Sequence, residues 1–429
     1  MAFDYLKEKV GKEVAISGFV DELRLLGNLA FIILRRREGT LQVIAKKKET
    51  PELFEELKKI TKESVVNVWG VVQLNKQARN GFEIALKKIE IETKAEPLPI
   101  DVSGKIESEF ATRLDNRFLD LRLKKNRNVF LLRSKIIKYT NEFFQKEGFI
   151  AINTPKITVL GAESGAQLFN VDYFGKKAFL SQSPQLYKQM VQAAGFEKVY
   201  EIGPVFRAEK SHTTRHLTEF TGIDFEMSYV NSLKDIMDVV EGLFKYICKQ
   251  LEKKDSELLK EMNIKNNVPK KFPKIKFYDA LKLLKQKYNK KILDDDLDSE
   301  AEALLGKYFL ENYKSDFVFV TDYPKSSRPF YHNYNDNEDT TNSFDLLYRG
   351  QEAITGAIRE HRVEVFKNQA IKKGLDLKQL KEYIKIFRFG VPKHGGCGMG
   401  LDRIVQKMAG LENIKDAVLF PRDPDRLIP

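Results

Sequence analysis

Cysteine is scarce in this chain. Its 429 residues hold only Cys248 and Cys397, far apart and in no CxxC pair, so a disulfide framework or a thiolate zinc site is not expected. There is no run of about 18 apolar residues, which argues against a membrane-spanning helix. The opening residues, MAFDYLKEKVGKEVAI, scatter charge where a secretory leader needs an apolar stretch, and the chain reads as cytoplasmic. No internal repeat is present. Charge is abundant instead, with 73 Lys and Arg against 61 Asp and Glu, a net +12. A basic excess of this size suits an anionic partner, although a Lys-rich surface also serves solubility alone. A chain of this length is expected to form two or three domains.

Residues 1 to about 95 hold five strand candidates, AISGFV, LAFIIL, TLQVIA, VVNVWGVV and FEIALKKIEI. A helical stretch, PELFEELKKI, stands between the third and fourth. This order suits an OB-fold barrel, which often binds single-stranded nucleic acid and otherwise serves as a packing module. Residues 96 to 120 carry prolines and mixed charge with little apolar periodicity and read as a hinge. Beyond a helix near 233 to 252, the Lys-rich stretch from 250 to about 310 reads as an insertion with a solvated face.

The most informative segment is FEKVYEIGPVFRAEKSHTTRHLTEFTGIDFEM, residues 196–227, which reads as strand, polar basic loop and strand. Strand alternation puts Val205, Arg207 and Glu209 on one face and Phe220, Gly222 and Asp224 on one face of its partner. A cation, two acids, an aromatic ring and bare backbone then line one surface, a platform for a nucleotide. Upstream, Arg127 to Pro155 reads as an amphipathic helix carrying Val129, Leu132, Ile136, Ile137, Phe143 and Phe144, stopped by Gly148 and followed by a short strand. Downstream, PKHGGCGMGLDRIVQKMAG at 392–410 has glycines at 395, 396, 398 and 400 that let a ligand approach the backbone. A helix with Arg403 near its start follows. Ser183 and Pro184 begin a short helix with Gln185 and Lys188 on one face. In FDLLYRGQEAITGAIRE, Asp345 and Glu352 precede an expected turn at Thr355 and Gly356, with Arg359 one helical turn beyond, and two carboxylates and a hydroxyl suit Mg²⁺.

Taken in order, QSPQLYKQ, GPVFRAE, RHLTEF and TGID resemble motif 2 of the class II aminoacyl-tRNA synthetases, in the version of the archaeal and eukaryotic aspartyl-tRNA synthetases. The stretches at 127–155 and 392–410 resemble motifs 1 and 3, and the likeness spans nearly the whole chain. It implies an α+β, multi-domain fold: an OB-fold anticodon-binding barrel at 1–95, a hinge, and a catalytic domain at 121–429 built on an antiparallel sheet flanked by helices. It implies ATP as substrate, Mg²⁺, L-aspartate, tRNA, and a homodimer formed through motif 1.

Site residues follow by the same resemblance. Glu163, Gln185, Lys188, Arg207, Asp224, Thr355 and Arg359 fall at aspartate-binding positions. Lys188 and Arg359 face the substrate's carboxylate, and Asp224 faces its ammonium group. For ATP the positions are Arg207, Ala208, Glu209, Arg215, His216, Leu217, Phe220, Glu352, Gly400, Leu401, Asp402 and Arg403, with Arg207 and Arg403 carrying the catalysis. Asp345, Glu352 and Thr355 surround Mg²⁺, and Phe31, Gln42 and Glu83 meet the anticodon. The chain departs from the pattern at Ser164, Thr355, Asp402 and Asp21, the last placed in a loop of the barrel. Three other readings stay open: an enzyme also charging tRNA-Asn with aspartate, an asparaginyl enzyme, and a silent tRNA-binding paralogue. Lys188 counts against asparagine, and intact Arg207, Glu352 and Arg403 count against silence.

Overall fold

The computed structural model describes residues 3–429 except 38, 160–167, 292–294, 337–338 and 379. The chain divides into two compact units, Met1–Asp120 and Leu121–Pro429.

In the first unit a short helix α1 (Asp4–Lys7) precedes β1 (Glu13–Leu26), β2 (Leu29–Arg36), β3 (Gly39–Lys46), α2 (Pro51–Leu57), β4 (Val65–Leu74) and β5 (Phe82–Thr93). The five strands close a barrel in the order β1-β2-β3-β5-β4, which leaves no open edge. Alternation sends Ala30, Ile32 and Leu34 of β2 and Leu41, Val43 and Ala45 of β3 into the interior, where they pack with Val66, Val68 and Ile84. Phe31 is therefore half-buried on the outer face and is not a core residue. The parallel pairing of β3 with β5 sets Val43 opposite Ile84 and so brings Glu83 beside Gln42. Glu83 accepts from Gln42 at 2.6 Å and from Gln73 at 2.8 Å. Asp21 lies in β1 at a bulge, not in a loop, and pairs with Arg35 at 3.4 Å.

The stretch read as a hinge has structure of its own. Helices α3 (Phe110–Asp115) and α4 (Arg117–Asp120) follow a small cluster of Ile100, Val102 and Leu119, and Arg113 and Arg117 both pair with the buried Asp120.

The second unit begins with α5 (Lys124–Lys146) and β6 (Ile150–Ala151). A small sheet of β7 (Ile157–Thr158), β8 (Asn170–Tyr173) and β9 (Lys176–Leu180) comes next, then α6 (Gln185–Ala193), β10 (Lys198–Phe206), β11 (Glu219–Ser228) and α7 (Leu233–Lys254). Helix α8 (Ser256–Glu261), β12 (Lys274–Lys276), α9 (Phe277–Tyr288) and α10 (Ser299–Tyr313) lead into β13 (Phe317–Thr321), β14 (Ser343–Tyr348) and β15 (Glu352–Ile358). The chain then runs through α11 (Val363–Lys372), α12 (Lys381–Lys385), β16 (His394–Gly400) and α13 (Leu401–Ala409). Eight strands form one sheet in the order β12-β13-β14-β15-β16-β11-β10-β6, antiparallel except at the two edge pairs.

On one side of this sheet α5, α7 and α13 bury Leu132, Ile136, Phe144, Val240, Phe244 and Ile404 against Phe225, Phe317 and Tyr348. Most of the apolar stripe of α5 is consumed here, with Ile137 left half-buried; Ile150 on edge strand β6, Ile157 and Val159 are exposed apolar residues. The Lys-rich stretch is integral to the fold. It supplies β12 to the sheet, while α9 and α10 pack Phe277, Leu284, Leu305 and Phe309 on Val318 and Val320. Gly306 of α10 and Gly350 in the β14–β15 turn pack so closely that neither has room for a Cβ. Among the described residues no helix is long and apolar enough to cross a membrane.

The glycines of β16 divide by role. A Cβ on Gly395 would strike Ile236, and one on Gly396 would strike the Phe225 carbonyl and Glu226, so these two are bare for packing between strands. Gly396→Ala is expected to cost about 2–3 kcal/mol through overpacking, read as a lower urea midpoint by circular dichroism. An unchanged midpoint would disprove that packing role.

Candidate active site

A broad concavity opens on the sheet face where β10, β11, β15 and β16 meet. Strand β11 supplies the floor: Phe220, Gly222 and Asp224 share one face as alternation requires, with Gly400 opposite Gly222 and Gly398 opposite Asp224 on β16. A Cβ on Gly398 would meet the Asp224 carboxylate at 3.2 Å, so these two glycines keep the pocket open.

Arg207 and Glu209 arrive differently from the expectation. Strand β10 ends at Phe206, so both stand in the following loop and not on a strand face with Val205. The pairing persists for one more bond, from the Arg207 amide to the Thr218 carbonyl at 2.9 Å, and this aims the guanidinium at Phe220, 5.4 Å from the ring centroid. The Glu209 carboxylate lies 3.9 Å from Arg207. Arg215, His216 and Leu217 close the loop over the same end, whereas Ala208 does not line the pocket. His216 Nδ1 lies 2.6 Å from the Thr213 hydroxyl; burial, and then the Arg403 charge, hold its pKa below the ordinary value and keep the ring neutral near pH 7.

Of the glycine-rich motif's other candidates, Leu401 sends its side chain into the core. Asp402 faces the pocket base, but its oxygens are taken by the chain itself, Oδ2 by the Thr221 amide at 2.8 Å and Oδ1 by Arg133. Its work is to tie β11 to α5. Arg403 reaches Glu352 Oε1 at 3.3 Å.

At the opposite end four charges are buried together. Lys188 Nζ is 3.0 Å from Asp224 Oδ1 and 3.3 Å from Glu226 Oε2, and it also donates to the Cys397 carbonyl at 2.9 Å. Arg359 donates to Glu226 through Nε at 2.8 Å and Nη2 at 3.2 Å, and Nη2 also reaches Gln185 Oε1 at 3.2 Å. Burial alone would raise the Glu226 carboxyl, but Arg359 and Lys188 bring it below the usual range. Ser183 Oγ accepts from the Gln185 amide at 3.1 Å just ahead of α6, whose N-cap is Pro184, and the helix delivers Gln185 and Lys188 inward, where both are buried and not solvated. Asp224, Gln185 and Arg359 line the pocket; Lys188 touches it only through Asp224.

The expected turn at Thr355 and Gly356 is not there. The turn falls at Arg349 and Gly350, both at positive φ, and β15 runs straight through 355–358. Gly356 is bare because the Phe344 ring fills its place, and Arg359 follows a strand, not a helix. Thr355 stands opposite Asp345 in register and donates to Glu352 Oε1 at 3.3 Å. The three are all oxygen donors, and Asp345 Oδ1 is buried without a hydrogen-bond partner, so the set fits a hard cation. Asp345 itself is off the pocket surface, its Oδ2 accepting from Arg328 at 2.6 Å; burial, partly offset by Arg328, pushes its carboxyl up to about 6. Among the described residues no cluster of three or more His, Cys, Asp or Glu side chains has metal-binding geometry. Glu163 and Ser164 lie outside the described residues.

With this geometry in view, comparison with known proteins is decisive. Residues 109–424 match the model of the class II tRNA synthetases (D, K and N), and residues 14–92 match that of the OB-fold nucleic acid binding domain. The chain belongs to the class II tRNA synthetases. Among its relatives, the aspartate–tRNA(Asp) ligase of Pyrococcus abyssi is 44% identical, with 99% of this chain and 98% of the relative covered. The aspartate–tRNA(Asp/Asn) ligase of Methanopyrus kandleri is 42% identical over the same shares. The asparaginyl-tRNA synthetase of Pyrococcus horikoshii, solved with asparaginyl-adenylate, superposes with a TM-score of 0.91 at 32% identity, covering 98% of this chain and 97% of that one.

A class II synthetase is an aminoacyl-tRNA ligase that uses ATP, and three groups in or directly behind this synthetase's pocket escaped the sequence reading. Glu226 had a signal, since it lies two residues beyond Asp224 on the same strand face. Arg328 and His332 had none, because they reach the pocket from the irregular stretch between β13 and β14. His332 is 1% exposed with Nδ1 unpartnered, and burial, then Arg359 and Arg328, hold it neutral, far below its ordinary pKa. Replacing Glu226 with Gln leaves two buried cations short of a counter-charge, at a cost of about 3 kcal/mol or more in urea unfolding; a neutral effect would overturn the account of this cluster.

Proposed function

We propose that the protein activates L-aspartate with ATP and transfers it to the 3′ end of tRNA-Asp. The observation carrying this reading is that one pocket holds the Arg207–Phe220 platform at one end and Asp224 beside Arg359 at the other. An aromatic face with a guanidinium beside it suits a purine and its first phosphate. An acid next to a guanidinium suits the ammonium group and side-chain carboxylate of a small acidic amino acid.

In this arrangement adenine stacks on Phe220 with Glu209 at its edge, and Arg207 bridges the α-phosphate and the substrate α-carboxylate. Gln185 presents its buried Nε2, which has no hydrogen-bond partner among the described residues, to the amino acid. Glu226 and Lys188 act behind them: Glu226 orients Arg359, and Lys188 orients Asp224. The α-carboxylate attacks the α-phosphorus, pyrophosphate leaves, and the mixed anhydride then passes its acyl group to the tRNA terminal hydroxyl, releasing AMP and the hydroxyl proton. No protein nucleophile is needed, so alignment and charge neutralisation by Arg207 and Arg403 supply the acceleration. Asp345, Glu352 and Thr355 would hold Mg²⁺, which neutralises phosphate charge when bound. Glu163 is assigned to the amino acid by family resemblance.

In the barrel we assign Phe31, Gln42 and Glu83 to the anticodon, with Gln73 completing the amide–carboxylate group around Glu83. Use of tRNA-Asn as well is the second reading, favoured by relatives named for both tRNAs. Equal charging of transcripts with GUC and GUU anticodons would establish it. A homodimer follows from the motif 1 resemblance, and the unpaired edge of β6 with exposed Ile150 supports it.

ATP–pyrophosphate exchange is expected with aspartate and not with asparagine, and Arg207→Ala should slow it by roughly a hundredfold or more. Exchange with asparagine alone, or a variant at the parent rate, refutes the assignment. Phe31→Ala should raise KM for tRNA about tenfold, since base stacking is worth about 1–3 kcal/mol, and leave exchange untouched; an unaltered tRNA KM removes Phe31 from recognition. Sedimentation at micromolar concentration should give twice the chain mass, and a fully active monomer would exclude the dimer.

A further inference from the structure

The stretch that reads as a solvated insertion reaches one of the side chains that line the pocket, Arg215. Helix α10 presents Ser299 and Glu302 from its first turn, behind the N-cap Asp298, whose carboxylate accepts from the Ala301 amide at 2.8 Å. Arg215, in the loop between β10 and β11, donates through Nη2 to Glu302 Oε2 at 2.6 Å and through Nη1 to the Ser299 hydroxyl. The same Glu302 oxygen accepts from the Glu352 amide at 3.3 Å, at the start of β15. The helix cannot drift from this place, because Gly306 and Gly350 lock it to the β14–β15 turn with no room for a Cβ on either.

We propose that Glu302, assisted by Ser299, is a positioning residue that holds Arg215 over the phosphate end of the ATP site. The proposal rests on the assignment of Arg215 to ATP. A free Arg side chain carries rotamer entropy that must be lost when it grips a ligand. Anchoring both terminal nitrogens on a rigid helix removes most of that loss beforehand. The guanidinium is planar with five donors, so a carboxylate on one edge orients it and leaves N–H groups for phosphate oxygens on another. Glu302 is only 9% exposed, which keeps water from competing for the pair. Arg403, from α13, meets the Glu352 carboxylate while the Glu352 amide donates to Glu302, so the acids that hold the two arginines are linked through Glu352. The role of α10 is thus to make the loop arginine as fixed as the helix arginine.

Pyrophosphate exchange by the full chain separates the possibilities. Glu302→Gln keeps an oxygen for the Glu352 amide and removes the negative charge that faces Arg215. It should raise KM for ATP about tenfold with KM for aspartate within about twofold of the parent. Arg215→Ala should raise KM for ATP by at least as much, and adding Glu302→Gln to it should change nothing further. Ser299→Ala, which leaves Glu302 in place, should give a smaller rise of about threefold in the same constant and serves as the test if Glu302→Gln fails to fold. An unchanged KM for ATP in both single α10 variants, with Arg215→Ala impaired, overturns the proposal while sparing the role of Arg215. A full Glu302→Gln effect in the Arg215→Ala background also overturns it. An Arg215→Ala protein with the parent KM for ATP overturns both.

Discussion

The pocket depends on four buried charges that cancel in pairs. Removing Lys188, Asp224, Glu226 and Arg359 from water is expensive, and each is tolerable only because the others are within hydrogen-bonding distance. These residues come from α6, from alternate positions of β11 and from the end of β15, so the same ionic contacts that neutralise them also fix three elements around one cavity. The cluster fits because β16 is nearly free of side chains. The Cys397 carbonyl accepts from Lys188, and bare Gly396 and Gly398 leave the volume that the two carboxylates occupy. A site that must receive a charged amino acid is thus built from charges already balanced, and an arriving carboxylate and ammonium group exchange partners with them at little extra desolvation.

The nucleotide end follows another logic. Its cations, Arg207, Arg215 and Arg403, are partly open to water and are steered by single acids, the first by Glu209, the second by Glu302 and the third by Glu352. Behind them Arg133 and Asp402 brace β11 against α5, so the floor under Phe220 is held from the helical side of the sheet. Deep burial at the amino-acid end favours selectivity, because a mismatched partner strands a charge. Shallow, oriented arginines favour a polyphosphate that must enter and leave.

The sequence by itself determined the barrel, the strand-loop-strand platform and the three motifs. Each rests on a local signal, namely period-two alternation in β2 and β3, the helical stripe of α5, or an ordered string such as FRAE and RHLTEF. Only the tertiary structure decided what long-range packing controls. It moved Arg207 and Glu209 off the strand, because pairing with β11 ends at Phe206 and Glu219. It made Thr355 and Gly356 part of a strand, because Gly356 leaves room for the Phe344 ring and the positive φ of Gly350 takes the turn. It split the glycines of β16 into packing and pocket positions, brought Arg328 and His332 in from an irregular stretch, and carried α10 of a Lys-rich segment to Arg215. Periodicity reports which face of an element is buried; it is silent on what that face meets, since the partner comes from a hundred residues away.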